Sequence, residues 1–281
     1  MKKIKLKARA KINLTLDVLG VEQNYHKINT LVTTIDLHDT IVIKKRKDNH
    51  IKLYMKGLPL DLPTMENNAY KASKMFLQEF GTTGVDITIT KNIPIGGGLG
   101  GSSSDIAGVL NGMKSLFAVQ DSVLPIANAL GSDSGYLLSG GYAVLSGRGE
   151  KISQKYIDKK LYLLIITEDE PVSAKSSYQT FDKQGKSYKP CTKIALKALE
   201  EGENEKFCKV IKNDLFPASN EILPEIKTNL LALKKAGADA QLMTGSGSAV
   251  YGLFFDEKKR NKAYRSLLPL YKGHLIKTET I

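Results

Sequence analysis

Hydrophobic and polar residues alternate with a period of two near the amino-terminal end of the chain. Apolar side chains occupy every even position from 4 to 18, and lysines or other polar residues occupy every odd position from 3 to 17. This period is typical of a β-strand with one buried face. The stretch is long enough for one bent strand or for two joined strands, and it places Lys11 and Asn13 on the same polar face.

The rest of the chain mixes strand and helix patterns. Strands are predicted at 28–37, 40–45, 85–90, 142–146 and 161–167, with a closing strand at the end of the sequence. Helices are predicted at 67–80, 122–130, 173–183, 191–200, 203–213, 221–235 and 256–268, and one more follows a glycine-rich stretch and ends near Phe117. This order predicts an α+β fold with two lobes, an amino-terminal domain at 1–155 and a carboxyl-terminal domain at 156–281.

Length and composition are those of a globular protein. The chain has 281 residues, of which 42% are hydrophobic and 25% are charged, and no apolar stretch approaches the length of a membrane-spanning helix. The basic amino terminus is not followed by the apolar stretch of a secretory signal, so we expect a cytoplasmic protein. The two cysteines, Cys191 and Cys208, have no metal-ligand spacing and are expected to be reduced thiols.

Forty-one lysines and arginines against 29 acidic residues give a formal net charge of +12. Such a balance suits nucleic acid, an anionic membrane surface or a small phosphorylated substrate. The lysines are spread along the chain, tryptophan is absent, and no nucleic-acid-binding motif is present, so we expect neither a nucleic-acid nor a membrane partner.

Residues 94–104 read PIGGGLGGSSS and lie directly before a predicted helix. Glycines let a polyanion approach the backbone, and a helix amino terminus offers free N–H groups, so the stretch predicts a phosphate-binding loop. The alternative is a turn whose serines only cap the helix. A P-loop is excluded because GxxxxGK[ST] is missing. A dinucleotide-binding GxGxxG is a weak match, because Asp121 lies between two predicted helices and not after a second strand.

The same stretch resembles the glycine-rich motif of the GHMP kinases, P-x-G-x-G-L-G-x-S-S. Two further stretches, AKINLTLDVLG before it and LMTGSGSAVYGLF after it, resemble other motifs of that family in the family's order. The resemblance covers nearly the whole chain. It implies the two-lobed α+β fold of the GHMP kinases, with an active site in the cleft between the lobes.

Two details resemble one subgroup of the family. NYHKINTLV, and later GSDSGYLLSGGYAVLSGRGEKI, are similar to segments of the members that phosphorylate a cytidine-diphosphate sugar alcohol of non-mevalonate isoprenoid biosynthesis. The resemblance implies small-molecule substrates, ATP and the cytidyl sugar alcohol, with Mg²⁺ arriving with ATP. A different GHMP kinase acting on homoserine or mevalonate stays open, as does a noncatalytic nucleotide-binding relative. Metal ligands and oligomeric state are not predicted.

The resemblance also implies residue roles. Lys11 and Asp133 match catalytic positions, and Asn67 matches a residue on the adenine side of the ATP site. The other implied ATP-binding residues are Pro94, Ile95, Gly96, Gly97, Gly98, Leu99, Gly100, Gly101, Ser102, Ser103 and Ser104. The implied substrate-binding residues are Asn13, Tyr25, His26, Tyr178, Gly245 and Ser246.

The chain departs from the family pattern at two places. Ser134 and Gly135 stand where Val-Pro usually follows the catalytic aspartate, and VEQNYH lacks the glycine that usually precedes Tyr25. Proline stiffens a turn, so its loss affects the expected orientation of Asp133.

Overall fold

The chain adopts an α+β fold in a computed structural model that describes residues 2–22, 25–58, 63–185 and 187–281. It forms two compact units whose segments alternate along the sequence. The first unit holds the residues up to Ala10, Leu37–Pro94 and Gly100–Gly140, and the second holds Lys11–Asp36, Ile95–Leu99 and Gly141–Ile281. They alternate because two long strands, β1 (Lys3–Asn13) and β3 (Tyr25–Lys45), pass from one unit to the other. The division into domains at residue 155 stays a prediction.

The sheet of the first unit is built around β5 (Val85–Lys91). This strand pairs antiparallel with the end of β3, from Thr40↔Thr90 to Lys45↔Val85, and parallel with β4 (Ile51–Gly57). Ile87 and Ile89 of β5 are fully buried, as the alternating pattern predicts. Each such side chain stabilises the core by about 1.5–3 kcal/mol.

Four helices complete the described part of the first unit: α1 (Asn68–Phe80), α2 (Gly101–Phe117), α3 (Leu124–Leu130) and α4 (Ser134–Leu137). Asn67 caps α1, since its side-chain oxygen accepts a hydrogen bond of 2.9 Å from the N–H of Ala69. Gly81 ends the same helix in a left-handed conformation. The buried faces of α1 and α2, including Phe76 and Leu110, pack into one core with the strands.

The second unit contains two groups of paired strands. In one, β3 pairs antiparallel with β2 (Asp17–Glu22) and β6 (Tyr142–Gly147), and β6 pairs antiparallel with β7 (Lys151–Lys155). The other is a four-stranded antiparallel sheet in the order β11–β8–β10–β9. Its strands are β8 (Tyr162–Ile166), β9 (Ala240–Met243), β10 (Val250–Phe254) and β11 (Leu275–Glu279). Strand β9 therefore lies at an edge.

The described helices of the second unit are α5 (Ala174–Gln184), α6 (Thr192–Glu200), α7 (Asn204–Val210), α8 (Phe216–Ile222), α9 (Glu225–Lys235) and α10 (Glu257–Leu267). Ser173 and Asp256 cap α5 and α10 with side-chain oxygens that accept backbone N–H groups. Leu164, Phe254 and Ile226 contribute to the core of this unit.

Several predicted elements are wrong in detail. The alternating stretch at 3–18 is not among them, because it forms two strands, one of the two predicted alternatives: β1 ends at Asn13 and β2 begins at Asp17. The helix predicted at 221–235 is interrupted by Pro224, which separates α8 from α9. The helix predicted at 203–213 ends at Val210, and the sequence did not predict β4 or β7. None of the helices in the described ranges is long and apolar enough to span a membrane.

Candidate active site

The glycine-rich stretch forms a loop between β5 and α2. Gly96, Gly98 and Gly100 have φ angles of 74°, 74° and 75°, a conformation that favours glycine. Helix α2 begins at Gly101, directly after the loop, as predicted. Its first N–H groups have no acceptor within the helix, and the positive end of its dipole lies there. This loop and helix terminus are suited to a polyphosphate.

A second glycine turn, Thr244–Ser248, lies against the loop and is called the late turn here. A Cβ atom on Gly98 would overlap the carbonyl oxygen of Thr244, and a Cβ on Gly245 would lie 3.1 Å from the Cα of Gly98. The hydroxyl of Thr244 also donates to the carbonyl of Gly98 over 3.4 Å. The two backbones approach so closely that neither glycine can carry a side chain without a shift.

Asn13 connects the polar face of β1 to the late turn. Its side-chain oxygen accepts hydrogen bonds from the Lys11 ammonium at 2.7 Å and from the N–H of Gly245 at 3.0 Å. Its amide nitrogen donates to the hydroxyl of Thr30 at 2.9 Å. Lys11 is in turn fixed at its backbone, where its N–H donates to the carbonyl of Leu99 at 3.0 Å. Lys11 and the buried Asn13 therefore connect the glycine loop to the late turn.

The late turn has further support that sequence reasoning missed. Asn213 donates from its side-chain nitrogen to the carbonyls of Met243 at 2.9 Å and Gly245 at 2.8 Å. The hydroxyl of Ser219 donates to the carbonyl of Ser246 at 2.8 Å. Asn213 follows apolar Ile211 and charged Lys212 and belongs to no motif, so the sequence alone does not single it out as a support of the late turn.

Asp133 lies at the start of the short helix α4, in the first unit, where its carbonyl accepts the N–H of Leu137. Its side chain makes no capping hydrogen bond. A Cβ on Gly135 would overlap the side-chain oxygen of Asn128 and lie 3.0 Å from Leu124. A residue larger than glycine at position 135 would therefore require these side chains of α3 to shift. The catalytic role of Asp133 stays a prediction.

Residues around the start of α2 hold the serine run in place. The hydroxyl of Ser104 donates to the carbonyls of Arg9 and Gly100, at 2.8 and 2.9 Å. Asn68 donates from its side chain to the hydroxyl of Ser102 at 3.3 Å. The predicted ATP residue, Asn67, uses its own side-chain oxygen to cap α1, so Asn68 is the neighbour that contacts the loop serines.

A buried charge cluster, Asp39, Lys91 and Asp105, lies beside the same helix terminus and was not predicted. The Lys91 ammonium donates to both carboxylates, at 2.6 Å to Asp105, and Asp39 also accepts the N–H groups of Asn92 and Ile93. Burial and the charge of Asp39 raise the pKa of Asp105 to about 7, although Lys91 opposes them. Burial lowers the pKa of Lys91, but the charges of Asp105 and Asp39 outweigh it and leave that pKa above its ordinary value.

The aromatic residues predicted to bind the substrate form two groups in the second unit. The ring of His26 stacks on Tyr178 at 4.4 Å between centroids, and its Nε2 lies 2.8 Å from a carboxylate oxygen of Asp182. Tyr25 is exposed, with the guanidinium of Arg148 4.7 Å from its ring centroid. Neighbouring strand residues face opposite sides, so Tyr25 and His26 present different faces of β3. Residues 23 and 24, which precede Tyr25, lie outside the described residues.

The described residues contain no group of three or more His, Cys, Asp or Glu side chains that could hold a metal ion. The hydroxyls of Ser102 and Ser103 belong to the first turn of α2, and they suit a hard cation only as a supplement to phosphate oxygens. Both cysteines are free thiols, and burial raises the pKa of Cys191 to about 12 and that of Cys208 to about 11.

Two parts of the chain match known families. Residues 67–154 match the family described as GHMP kinases N terminal domain, and residues 195–271 match the family described as GHMP kinases C terminal. The chain belongs to the GHMP kinase family.

Within that family, the chain is similar over its whole length to one kind of kinase. A protein of Clostridium tetani described as 4-diphosphocytidyl-2-C-methyl-D-erythritol kinase is 37% identical over 277 residues, which cover 95% of this chain and 97% of that protein. A protein of Caldicellulosiruptor saccharolyticus with the same description is 35% identical over 280 residues, covering 97% and 96% of the two chains.

Solved structures agree with this similarity. A crystal structure of 4-(cytidine 5'-diphospho)-2C-methyl-D-erythritol kinase matches with a TM-score of 0.85 and 28% identity, covering 99% of this chain and 100% of the other. Homoserine kinase from Cytophaga hutchinsonii matches with a TM-score of 0.78 over 100% and 95% of the chains, but at 17% identity this shows the fold alone. The predicted fold class and family are therefore confirmed.

Proposed function

We propose that this chain is an ATP-dependent kinase that phosphorylates the 2-hydroxyl of 4-diphosphocytidyl-2-C-methyl-D-erythritol and releases ADP. One observation carries the kinase activity: hydrogen bonds of Lys11 to the glycine loop and to Asn13, and of Asn13 to the late turn, join three motifs that are distant in sequence. The choice of acceptor rests on the full-length similarity to kinases described by that substrate.

In this reaction the 2-hydroxyl oxygen bonds to the γ-phosphorus while the bond to the bridging oxygen of ADP breaks. The hydroxyl proton passes to the carboxylate of Asp133, and the Lys11 ammonium offsets negative charge on the transferred group. Phosphoryl transfer needs little covalent help from the protein, so positioning supplies most of the rate. Asn13 contributes by holding the Lys11 ammonium at 2.7 Å.

ATP would lie with its phosphates on the glycine loop and at the start of α2. The left-handed glycines and the free N–H groups of the helix suit that role. We propose that the hydroxyls of Ser102 and Ser103 would help to hold Mg²⁺ that comes with ATP, which would supply neutralisation of phosphate charge, whereas the buried Ser104 hydroxyl donates to the carbonyls of Arg9 and Gly100. Tyr25, or the stacked pair of His26 and Tyr178 on the other face of β3, would bind the cytidine base. The cytoplasmic location stays a prediction.

The test is a coupled assay of ADP release with MgATP and three acceptors: the cytidyl substrate, homoserine and mevalonate. We expect turnover with the cytidyl substrate alone. Asp133→Ala should lower turnover by about a hundredfold or more, since it removes the proton acceptor. Asp121→Ala is the matched control, because Asp121 is an exposed carboxylate outside the loop and should leave turnover unchanged.

Other outcomes would contradict specific parts of the proposal. Turnover with homoserine or mevalonate instead of the cytidyl substrate would agree with the GHMP kinase fold but would refute the proposed acceptor. Full activity of Asp133→Ala would refute its assigned role. ATP binding without ADP release from any acceptor would identify a noncatalytic relative.

A further inference from the structure

A cavity of about 330 Å³ lies between α9, the edge strand β9 and the segment that leads into α8, all within the second unit. Its floor is apolar and consists of Ile211, Phe216, Leu230, Leu231, Leu242 and Met243. The volume lies at the lower end of the range for small-molecule sites, about 300–1,000 Å³. The cavity is called the α9 groove here. None of the residues assigned above to ATP or to the cytidyl substrate lines it.

Two lysines stand at the rim of the α9 groove. Lys227 and Lys234 are seven residues apart on α9, so they lie on one face of the helix with Leu230 and Leu231 between them. Both lysines are exposed, and neither ammonium has an ion-pair partner among the described residues. The third lining lysine, Lys212, differs because it is 2.5 Å from a carboxylate oxygen of Asp214.

The lining selects for one kind of ligand chemistry. The described residues that line the groove include no aspartate or glutamate, so a cation would meet only like charge. An apolar floor of six side chains favours a hydrocarbon group, and half-exposed Leu231 gains most from being covered. Two cations seven residues apart at the rim favour a multiply charged anionic head group.

We propose that the α9 groove binds a free short-chain alkyl or alkenyl phosphate or diphosphate, with its chain on the apolar floor and its phosphate between Lys227 and Lys234. The small volume sets the chain length, because a two-chain lipid is larger than the cavity. The site is distinct from the nucleotide loop, and its binding does not depend on the proposed activity.

The wall of the groove also supports the late turn. Asn213 lines the groove and donates to the carbonyls of Met243 and Gly245, and the sulfur of Met243 lies under Gly247. A ligand against Met243 therefore contacts the residue on which the turn rests. If the turn contacts the cytidyl substrate, as the proposed function holds, then binding at the two places is linked, and the linkage is reciprocal.

The direct test is calorimetric titration of the purified chain with n-octyl phosphate. We expect saturable binding with one site per chain. Inorganic phosphate and n-octyltrimethylammonium should bind at least about tenfold more weakly, because one lacks the chain and the other lacks the anion. Equal binding of the cationic amphiphile, or no saturation with n-octyl phosphate, would overturn the proposal.

Variants locate the site. Lys227→Gln combined with Lys234→Gln should weaken binding by about tenfold, as expected for two partly exposed ion pairs. The control removes two exposed lysines from α10, Lys258→Gln with Lys262→Gln, and should leave the affinity unchanged. Equal weakening of binding in the two double variants would show that only the net charge of the protein matters, and it would refute binding in the α9 groove.

A fluorescent reporter gives an independent readout. The chain contains no tryptophan, so Phe216→Trp places a single emitter in the floor of the groove. Its emission should shift with n-octyl phosphate along the calorimetric curve, and an unchanged spectrum at saturation would overturn the location. Adding the cytidyl substrate should change the affinity for n-octyl phosphate. An unchanged affinity would refute the linkage to the late turn while the binding itself stands.

Discussion

The buried charge cluster of the first unit predicts an unusual pH dependence of stability. Asp39, Lys91 and Asp105 place two carboxylates around one ammonium, all nearly inaccessible to solvent. Asp39 also accepts two backbone N–H groups, whereas one oxygen of Asp105 is buried without a partner among the described residues. Asp105 is therefore the member that favours a bound proton.

The substitution Asp105→Asn isolates this effect because asparagine has almost the same shape and cannot ionise. The pKa of Asp105 is raised from 3.8 to about 7, so its ionisation is costlier in the folded than in the unfolded chain. At 1.36 kcal/mol per pH unit, the difference amounts to about 4 kcal/mol at most.

The direction follows from proton counting. Between pH 4 and 7 the folded wild type binds more protons at Asp105 than the unfolded chain does, so the contribution of this group to stability is full below pH 4 and is lost as the pH rises through 7. Asp105→Asn does not lose stability in this way, because asparagine does not ionise. The variant should therefore have about the stability of the wild type near pH 4 and exceed it by up to about 4 kcal/mol near pH 8.

The assay is urea unfolding followed by far-ultraviolet circular dichroism, because the chain has no tryptophan. The free energies of unfolding of wild type and Asp105→Asn are compared at several pH values between about 4 and 8. Asp121→Asn, at an exposed carboxylate, should follow the wild type throughout. A difference between wild type and Asp105→Asn that stays constant with pH, or that favours the wild type as the pH rises, would refute the reasoning.

Two further substitutions test the loop and the base site. Gly98→Ala places a Cβ against the carbonyl oxygen of Thr244 and should lower kcat/KM for ATP by about a hundredfold. The control is Gly141→Ala, which is also at positive φ but has open space around it and should cost only about 1 kcal/mol of stability. Equal activity of the two variants would contradict the close approach of the loop and the late turn. Tyr25→Ala should raise KM for the cytidyl substrate about tenfold or more, because stacking on the base is lost, and should leave KM for ATP unchanged. The control is Tyr156→Ala, at a fully exposed tyrosine. An unchanged KM for the cytidyl substrate in Tyr25→Ala would show that Tyr25 does not bind the base.

Local patterns predict local structure well in this chain. Period-two alternation predicts β1, and the glycine run predicts both a loop and the helix after it. The break between β1 and β2 is not readable from alternation, because it depends on distant partners: the N–H of Leu14 donates to the carbonyl of Leu31, and that of Leu16 donates to the carbonyl of Lys212. The sequence goes on alternating where the backbone partner changes from Leu31 to Lys212, so the pattern does not show the break.

The site shows the same division. Lys11 and the glycine loop can be found from motif and period, and the resemblance supplies the rest of the expected residues. The charge cluster could not be found, because Asp39 and Lys91 are 52 positions apart and neither belongs to a motif. Asp105 stands at the end of the glycine-rich motif, but only the folded chain shows that it is buried beside a second carboxylate.

Asn13 makes contacts that limit how it could take its expected role, which stays a prediction. Alternation places it beside Lys11, and the resemblance implies a substrate contact. Its side-chain oxygen already accepts from Lys11 and from Gly245, and one hydrogen of its amide goes to Thr30. A carbonyl oxygen has two lone pairs, so Asn13 can contact the substrate only through its second amide hydrogen unless its hydrogen bond with Lys11 breaks. Its larger contribution is therefore to positioning: a change in β1 or in the late turn reaches the Lys11 ammonium through the same oxygen, and the motifs act as one unit.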